Sequence, residues 1–138
     1  MKFHGKVLLV DDEAHIRKFV GLILRKFCNP TIVEASDGAE ALAMFAQKKP
    51  DLVLLDVNMP NLDGLQTLQR LLQLAPEANV VMLTSLVNRQ TVEECVRLGA
   101  LGYIRKDTPR EEIGAQLESI MTDCFEPEAS PAPGATPP

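Results

Sequence analysis

Apolar residues are spaced along this chain in two alternating patterns. Short, near-continuous runs recur at wide intervals: KVLLV (6–10), TIVEA (31–35), LVLL (52–55), NVVML (79–83) and LGYI (101–104). Each is β-branched or Leu-rich and bounded by polar residues, as strands buried on both faces of a parallel sheet are. Between the runs, apolar residues repeat at spacings of three and four. Ile16, Phe19, Val20, Ile23, Leu24 and Phe27 mark a first helix. Asp37 reads as the N-cap of a second, with Glu40 three residues on and Leu42 and Phe45 facing inward. Leu65, Leu68, Leu71 and Leu72 mark a third, and Val92, Cys95 and Val96 a fourth. The last opens at TPREEI, which predicts Thr108 as cap, Pro109 at the first helical position and Glu111 completing a capping box. Its buried stripe is Ile113, Leu117, Ile120 and Met121. Five strands alternating with five helices predict an α/β fold, a five-stranded parallel sheet sandwiched between helices. Ligands of such sheets bind beyond the carboxyl ends of the strands, at the switch point of strand order. The residues just after each apolar run are therefore the candidate site.

Composition narrows the classes. The 138 residues fit one domain with an ordinary core, and 46% hydrophobic residues make it globular. A net charge of -5 argues against nucleic acid as a direct partner, since phosphate binding wants a basic face. No run approaches the roughly 18 apolar residues of a membrane span. The N-terminal MKFHGKVLLVDDE is too short in its apolar part for a signal sequence and ends in acids, so a cytoplasmic location is expected. Cys28, Cys95 and Cys124 are dispersed without CxxC spacing, which argues for packed, reduced thiols rather than a metal or redox site. From Glu126 the character changes. EPEASPAPGATPP holds half of the 10 prolines and reads as a disordered tail or as the start of an interdomain linker, leaving 1–125 as the folded unit.

The strand ends carry the chemistry. Asp11-Asp12-Glu13 follow the first strand, Asp56 ends the third, Thr84-Ser85 the fourth, and Lys106 lies just past the fifth. Any one of these could be a helix cap or a solvated charge, but their joint placement at four strand ends makes a cluster. Three close carboxylates repel, and one would be driven to hold a proton without a cation. Lys106 offsets one charge, and a divalent ion would offset the other two. Clustered oxygen ligands with room for water suit Mg²⁺. A metal, a hydroxyl and an ammonium beside carboxylates are equipment for phosphoryl transfer, with an ionised aspartate as a possible acceptor.

LLVDDE, LLDVNMPNLDG, LTS and GYIRK, in this order and spacing, resemble the receiver domain of two-component response regulators, and the match runs from about Lys6 to Cys124. The resemblance implies a flavodoxin-like (βα)5 three-layer sandwich with strand order 2-1-3-4-5. It also implies that Asp56 is the phosphoacceptor, taking its phosphoryl group from a phosphohistidine of a sensor histidine kinase or histidine phosphotransfer protein, or from a small phosphodonor. Asp12 and Asp56 match the direct Mg²⁺ ligands, Asp11 the one acting through water, and Asn58 the one lending a backbone carbonyl. Lys106 resembles the lysine that pairs with the acceptor and then with the phosphoryl group. Thr84 matches the switch hydroxyl, Ser85 an assisting N–H, and Tyr103, the chain's single tyrosine, the aromatic that turns inward behind the threonine. The face reporting the switch to an effector or a second copy would be the fourth helix, fifth strand and fifth helix. MPNLDG would turn the chain away over the site, with Pro60 stiffening the turn and Gly64 allowing it.

Some features depart from the pattern, and other readings compete with it. Asp107 stands where many receivers carry a cis proline; a cis bond without proline costs about 3 kcal/mol, which puts that bond in doubt. A similar Lys-Asp-Thr run occurs in some DNA-binding regulators, which favours a truncated regulator over a stand-alone one. Leu86, which offers no polar group to place an attacking water, and Asn58 favour a long-lived phosphoryl group. Among rivals, a haloacid-dehalogenase-like phosphatase would carry DxD after its first strand, with the second Asp as general acid; here the first strand gives DDE, and Asp56 is followed by Val57-Asn58. A pseudo-receiver that never takes phosphate would not need the complete acceptor set. His15 lies on a helix packed on a sheet and reads as a surface residue rather than a phosphotransfer histidine.

Overall fold

A computed structural model of the chain describes residues 1–57, 63–85 and 89–126. Asn58, Met59, Pro60, Leu86 and the Pro-rich stretch 127–138 lie outside the described residues, and so do the expectations attached to them. In chain order the elements are β1 (Lys6–Val10), α1 (Ala14–Leu24), β2 (Thr31–Ala35), α2 (Gly38–Lys48), β3 (Leu52–Leu55), α3 (Gly64–Leu74), β4 (Val80–Thr84), α4 (Arg89–Leu98), β5 (Gly102–Arg105) and α5 (Arg110–Phe125). The sheet is wholly parallel with order β2-β1-β3-β4-β5, the flavodoxin-like arrangement that the motifs imply.

Alternation along the strands builds two cores. In β1, Val7 and Leu9 face one side of the sheet and pack with Val20, Ile23 and Leu24 of α1 and with Ile113, Leu117 and Met121 of α5. Leu8 and Val10 face the other side, toward Ala41 of α2, Leu68 and Leu71 of α3 and Cys95 of α4. The inner strands β3 and β4 are buried along their whole length, whereas the edges β2 and β5 expose Thr31, Glu34 and Arg105. Each fully buried aliphatic side chain contributes roughly 1.5–3 kcal/mol, well above the fraction of a kilocalorie that separates ordinary helix formers. Burial of the stripes therefore holds the helices.

Local signals match in part. Asp37 caps α2 by accepting the Glu40 N–H at 2.8 Å, while the Glu40 carboxylate reaches back to the Ser36 N–H at 2.6 Å. Strands β4 and β5 each lie one residue later than the apolar runs suggest, because the backbone ladder continues through Thr84 and Arg105 regardless of their polarity. Thr108 is not the cap of α5. The Pro109 carbonyl accepts from Glu112 and Ile113 at 2.9 and 3.0 Å, so Pro109 stands at the cap with extended ψ 146°. The Thr108 N–H turns back to the Arg105 carbonyl at 3.1 Å instead, and Glu111 becomes a first-turn acid favoured by the helix dipole. Val96 is exposed rather than inward, since Cys95 is the buried contact of α4. Ile120 is only partly buried.

Candidate functional site

The order β2-β1-β3 means that the chain leaves β1 toward one edge and returns on its other side. The crevice at this reversal lies between the carboxyl ends of β1 and β3. Asp11 and Asp56 open there as the residues following Val10 and Leu55. The ladder extends one step beyond the strands to seat them: the Asp11 N–H donates to the Ala35 carbonyl at 3.1 Å and the Asp56 N–H to the Val10 carbonyl at 3.0 Å. Rigid backbone thus carries two carboxylates that are themselves buried, 4% exposed at Asp11 and 3% at Asp56. Asp12 is exposed beside them. One carboxylate oxygen from each of Asp11, Asp12 and Asp56 lies within 4.8 Å of the others.

Lys106 reaches this cluster from the end of β5. Its N–H donates to the Thr84 carbonyl at 2.9 Å, which fixes the lysine backbone against β4. Its Nζ lies 2.5 Å from Asp11 Oδ2 and 3.2 Å from Asp56 Oδ2. Burial pulls the ammonium down, but the hydrogen bond to Asp11 and the charge of Asp56 outweigh it, and the pKa is raised above the ordinary lysine value. The lysine's share of this stabilisation is therefore complete at neutral pH and is lost as the pH climbs through the raised value. Thr84 is fully buried at the end of β4, and Ser85 is exposed beyond it. Tyr103, in register with Met82, is half-buried on the α4 side of the sheet, where burial pushes its phenol up. Asp107 forms a two-pronged ion pair with Arg105, Nη2–Oδ2 2.5 Å and Nε–Oδ1 3.0 Å. No cis peptide occurs among the described residues.

Two supports of the site go beyond the sequence reading: a second role for Asp11 and a cap at Asp63. Asp11 Oδ1 accepts the Glu13 N–H at 2.9 Å, so this aspartate folds the β1–α1 loop with the same carboxylate that faces the site. Asp63 caps α3 in a capping box with Gln66, and the D-G-x-Q spacing was the available signal. Gly64 follows the cap. Its N–H donates to the Val57 carbonyl at 2.8 Å, and a Cβ there would lie 2.1 Å from the Asp56 carbonyl oxygen. This glycine serves close approach of α3 to the Asp56 backbone. Gly64→Ala is expected to destabilise the fold by about 1–3 kcal/mol, read from urea unfolding. An unchanged midpoint would refute the contact.

The cluster fits a small hard dication. Its donors are carboxylate oxygens, and three carboxylates against one ammonium leave two negative charges to be met. No described helix is long and apolar enough to cross a membrane.

Comparison with known proteins agrees with this geometry. The sequence model of the response regulator receiver domain matches residues 7–118. The uncharacterized transcriptional regulatory protein YhcZ of Bacillus subtilis is 36% identical over 109 residues, 78% of this chain and 51% of that protein. The chemotaxis protein CheY of Listeria monocytogenes is 31% identical over 113 residues, 82% of this chain and 95% of its own length. The chain thus spans about half the length of the transcriptional regulators it matches and nearly all of the chemotaxis protein. Among solved structures, the complex of CheX with CheY, BeF3 and Mg²⁺ from Borrelia burgdorferi aligns with a TM-score of 0.78 at 30% identity, covering 87% of this chain and 88% of that one. By sequence model, curated relatives and fold alike, this chain belongs to the receiver domain family of two-component response regulators.

Proposed function

We propose that the chain is a phosphoacceptor switch, in which Asp56 takes a phosphoryl group from a sensor histidine kinase, a histidine phosphotransfer protein or a small phosphodonor. The observation that carries this reading is the Lys106 ammonium bridging Asp11 and Asp56 at the carboxyl edge of a receiver fold. An Asp56 oxygen attacks phosphorus, the P–O bond forms as the P–N bond breaks, and the leaving imidazole nitrogen takes up a proton. Asp11, Asp12 and Asp56, with the Asn58 carbonyl, would hold Mg²⁺, which neutralises phosphoryl oxygens when bound. Lys106 then exchanges the Asp56 carboxylate for the phosphoryl group, while Thr84 and the Ser85 N–H bind its remaining oxygens. Only contacts that differ between the two states can drive a switch. Here these are the Thr84 and Lys106 contacts, with Tyr103 following Thr84 inward.

The reporting face would be α4, β5 and α5. In support, an open groove of about 400 Å³ there is lined by Tyr103, Ala115, Gln116, Ser119 and Ile120, and Val96 of α4 is exposed. An effector or a second copy would dock on it. We place the domain in the cytoplasm, take 1–125 as its folded unit and read 126–138 as tail or linker. Incubation with acetyl phosphate and Mg²⁺ is expected to add one phosphoryl group by intact mass, with none added after chelation. A folded protein that gains nothing in Mg²⁺ would leave a phosphorylation-independent interaction module as the better reading.

A further inference from the structure

We infer that Arg17 is a positioning residue for the carboxylate cluster, acting through the peptide that joins Asp11 to Asp12; this rests on the Mg²⁺ chemistry proposed above. Arg17 lies on α1 and its side chain is 15% exposed. Its Nη1 donates to the Asp11 carbonyl at 2.5 Å, and its Nε donates to Glu34 Oε1 at 2.6 Å. Glu34 belongs to β2, in register with Leu9. One guanidinium thus ties the loop after β1 to a helix and to an edge strand.

What that tie controls follows from peptide planarity. The Asp11 carbonyl shares its plane with the N and Cα of Asp12, so gripping the oxygen sets the direction from which the Asp12 side chain departs. Asp11 has other anchors: its N–H on Ala35, Oδ1 on the Glu13 N–H and Oδ2 on Lys106. Asp12 is exposed, and its aim depends on its backbone. Glu34 has a second part in this. Its carboxylate holds the fork of Arg17 and cancels its charge, so a cation can stand beside a dication site without opposing it.

The sign of the effect separates positioning from charge. On Coulomb's law alone, deleting a cation near the cluster tightens Mg²⁺ binding. Loss of a positioning residue weakens it, by about 10–100-fold for outer partners of metal ligands. Calorimetric Mg²⁺ titration of wild type, Arg17→Ala, Arg17→Lys and the Arg17→Ala, Glu34→Gln pair, each with its melting midpoint, is the test. Arg17→Ala is expected to weaken binding at least tenfold. Arg17→Lys should also weaken it, because an ammonium keeps the charge but lacks the two-pronged fork. The double variant should bind about as Arg17→Ala does, since Glu34 reaches the site through Arg17. Unchanged or tighter binding in Arg17→Ala overturns the inference, as does wild-type affinity in Arg17→Lys, which decides the matter if the alanine variant does not fold. Wild type that binds no Mg²⁺ would instead remove the proposed function itself.

Discussion

Replacing Asp56 by Asn should abolish phosphoryl uptake completely while leaving the fold intact. The amide is nearly isosteric, so the backbone bond from Asp56 N–H to the Val10 carbonyl and the packing around a 3% exposed side chain survive. The nucleophile does not survive, because a neutral amide oxygen has no charge to offer phosphorus. The substitution also removes one of three carboxylates facing one ammonium, and Asp11 keeps its 2.5 Å contact with Lys106. The melting midpoint without metal is therefore expected to equal or exceed that of wild type, since relief of like-charge repulsion offsets the longer ion pair that is lost. Intact mass after acetyl phosphate treatment and a thermal scan decide both halves. A phosphoryl adduct on the variant would move the acceptor elsewhere. A large fall in midpoint would mean that Asp56 is chiefly structural.

Lys106→Met should be costly in the opposite sense. Methionine keeps an apolar stem beside Ile16, Phe19, Val20, Leu83 and Ile113, so packing is largely preserved. The charge is not preserved, and Asp11 and Asp56 are left buried and close with no ammonium between them. Breaking one side of a buried ion pair typically costs about 3–5 kcal/mol, and the residual exposure of this site points to the lower figure. Two buried carboxylates without a cation between them repel for as long as both are charged. A group whose folded-state pKa is raised stabilises below its unfolded value, so the deficit should shrink as the pH falls toward the carboxylate range. It should shrink as well when Mg²⁺ supplies the missing positive charge. Urea unfolding at neutral and acidic pH, with and without Mg²⁺, reads all three effects. A loss of stability indifferent to both pH and metal would mean that the lysine acts through its stem rather than its charge.

The acceptor residues were legible because a buried parallel strand has one polar end and the site lies there. The runs KVLLV, TIVEA and LVLL coincide with β1, β2 and β3 to the residue. At β4 and β5 the apolar pattern ends before the ladder does, since Thr84 and Arg105 pair by backbone groups that side-chain polarity does not report. Thr108 carries a good cap signal, yet Pro109 supplies the first carbonyl of α5, to Glu112 and Ile113, while the Thr108 N–H closes the turn after Arg105. Arg17 was the hardest to see. Its partners, Asp11 and Glu34, lie on a loop and on a neighbouring strand, and no helical or strand period connects them.

The strand order has a consequence for how the chain folds. β1 precedes the other strands of the sheet in sequence and stands inside it, so it cannot be finished by its immediate neighbour in sequence. Its ladder with β2 forms early, across a single helix, but the ladder with β3 joins Val7 to Leu52 and waits for a much longer loop to close. Until then the Leu8–Val10 edge is an unpaired apolar strand, open to the wrong partner. Asp11, at the end of that edge, meets Asp56 and Lys106 only once the remaining strands are in place. Their mutual approach should be among the last events of refolding.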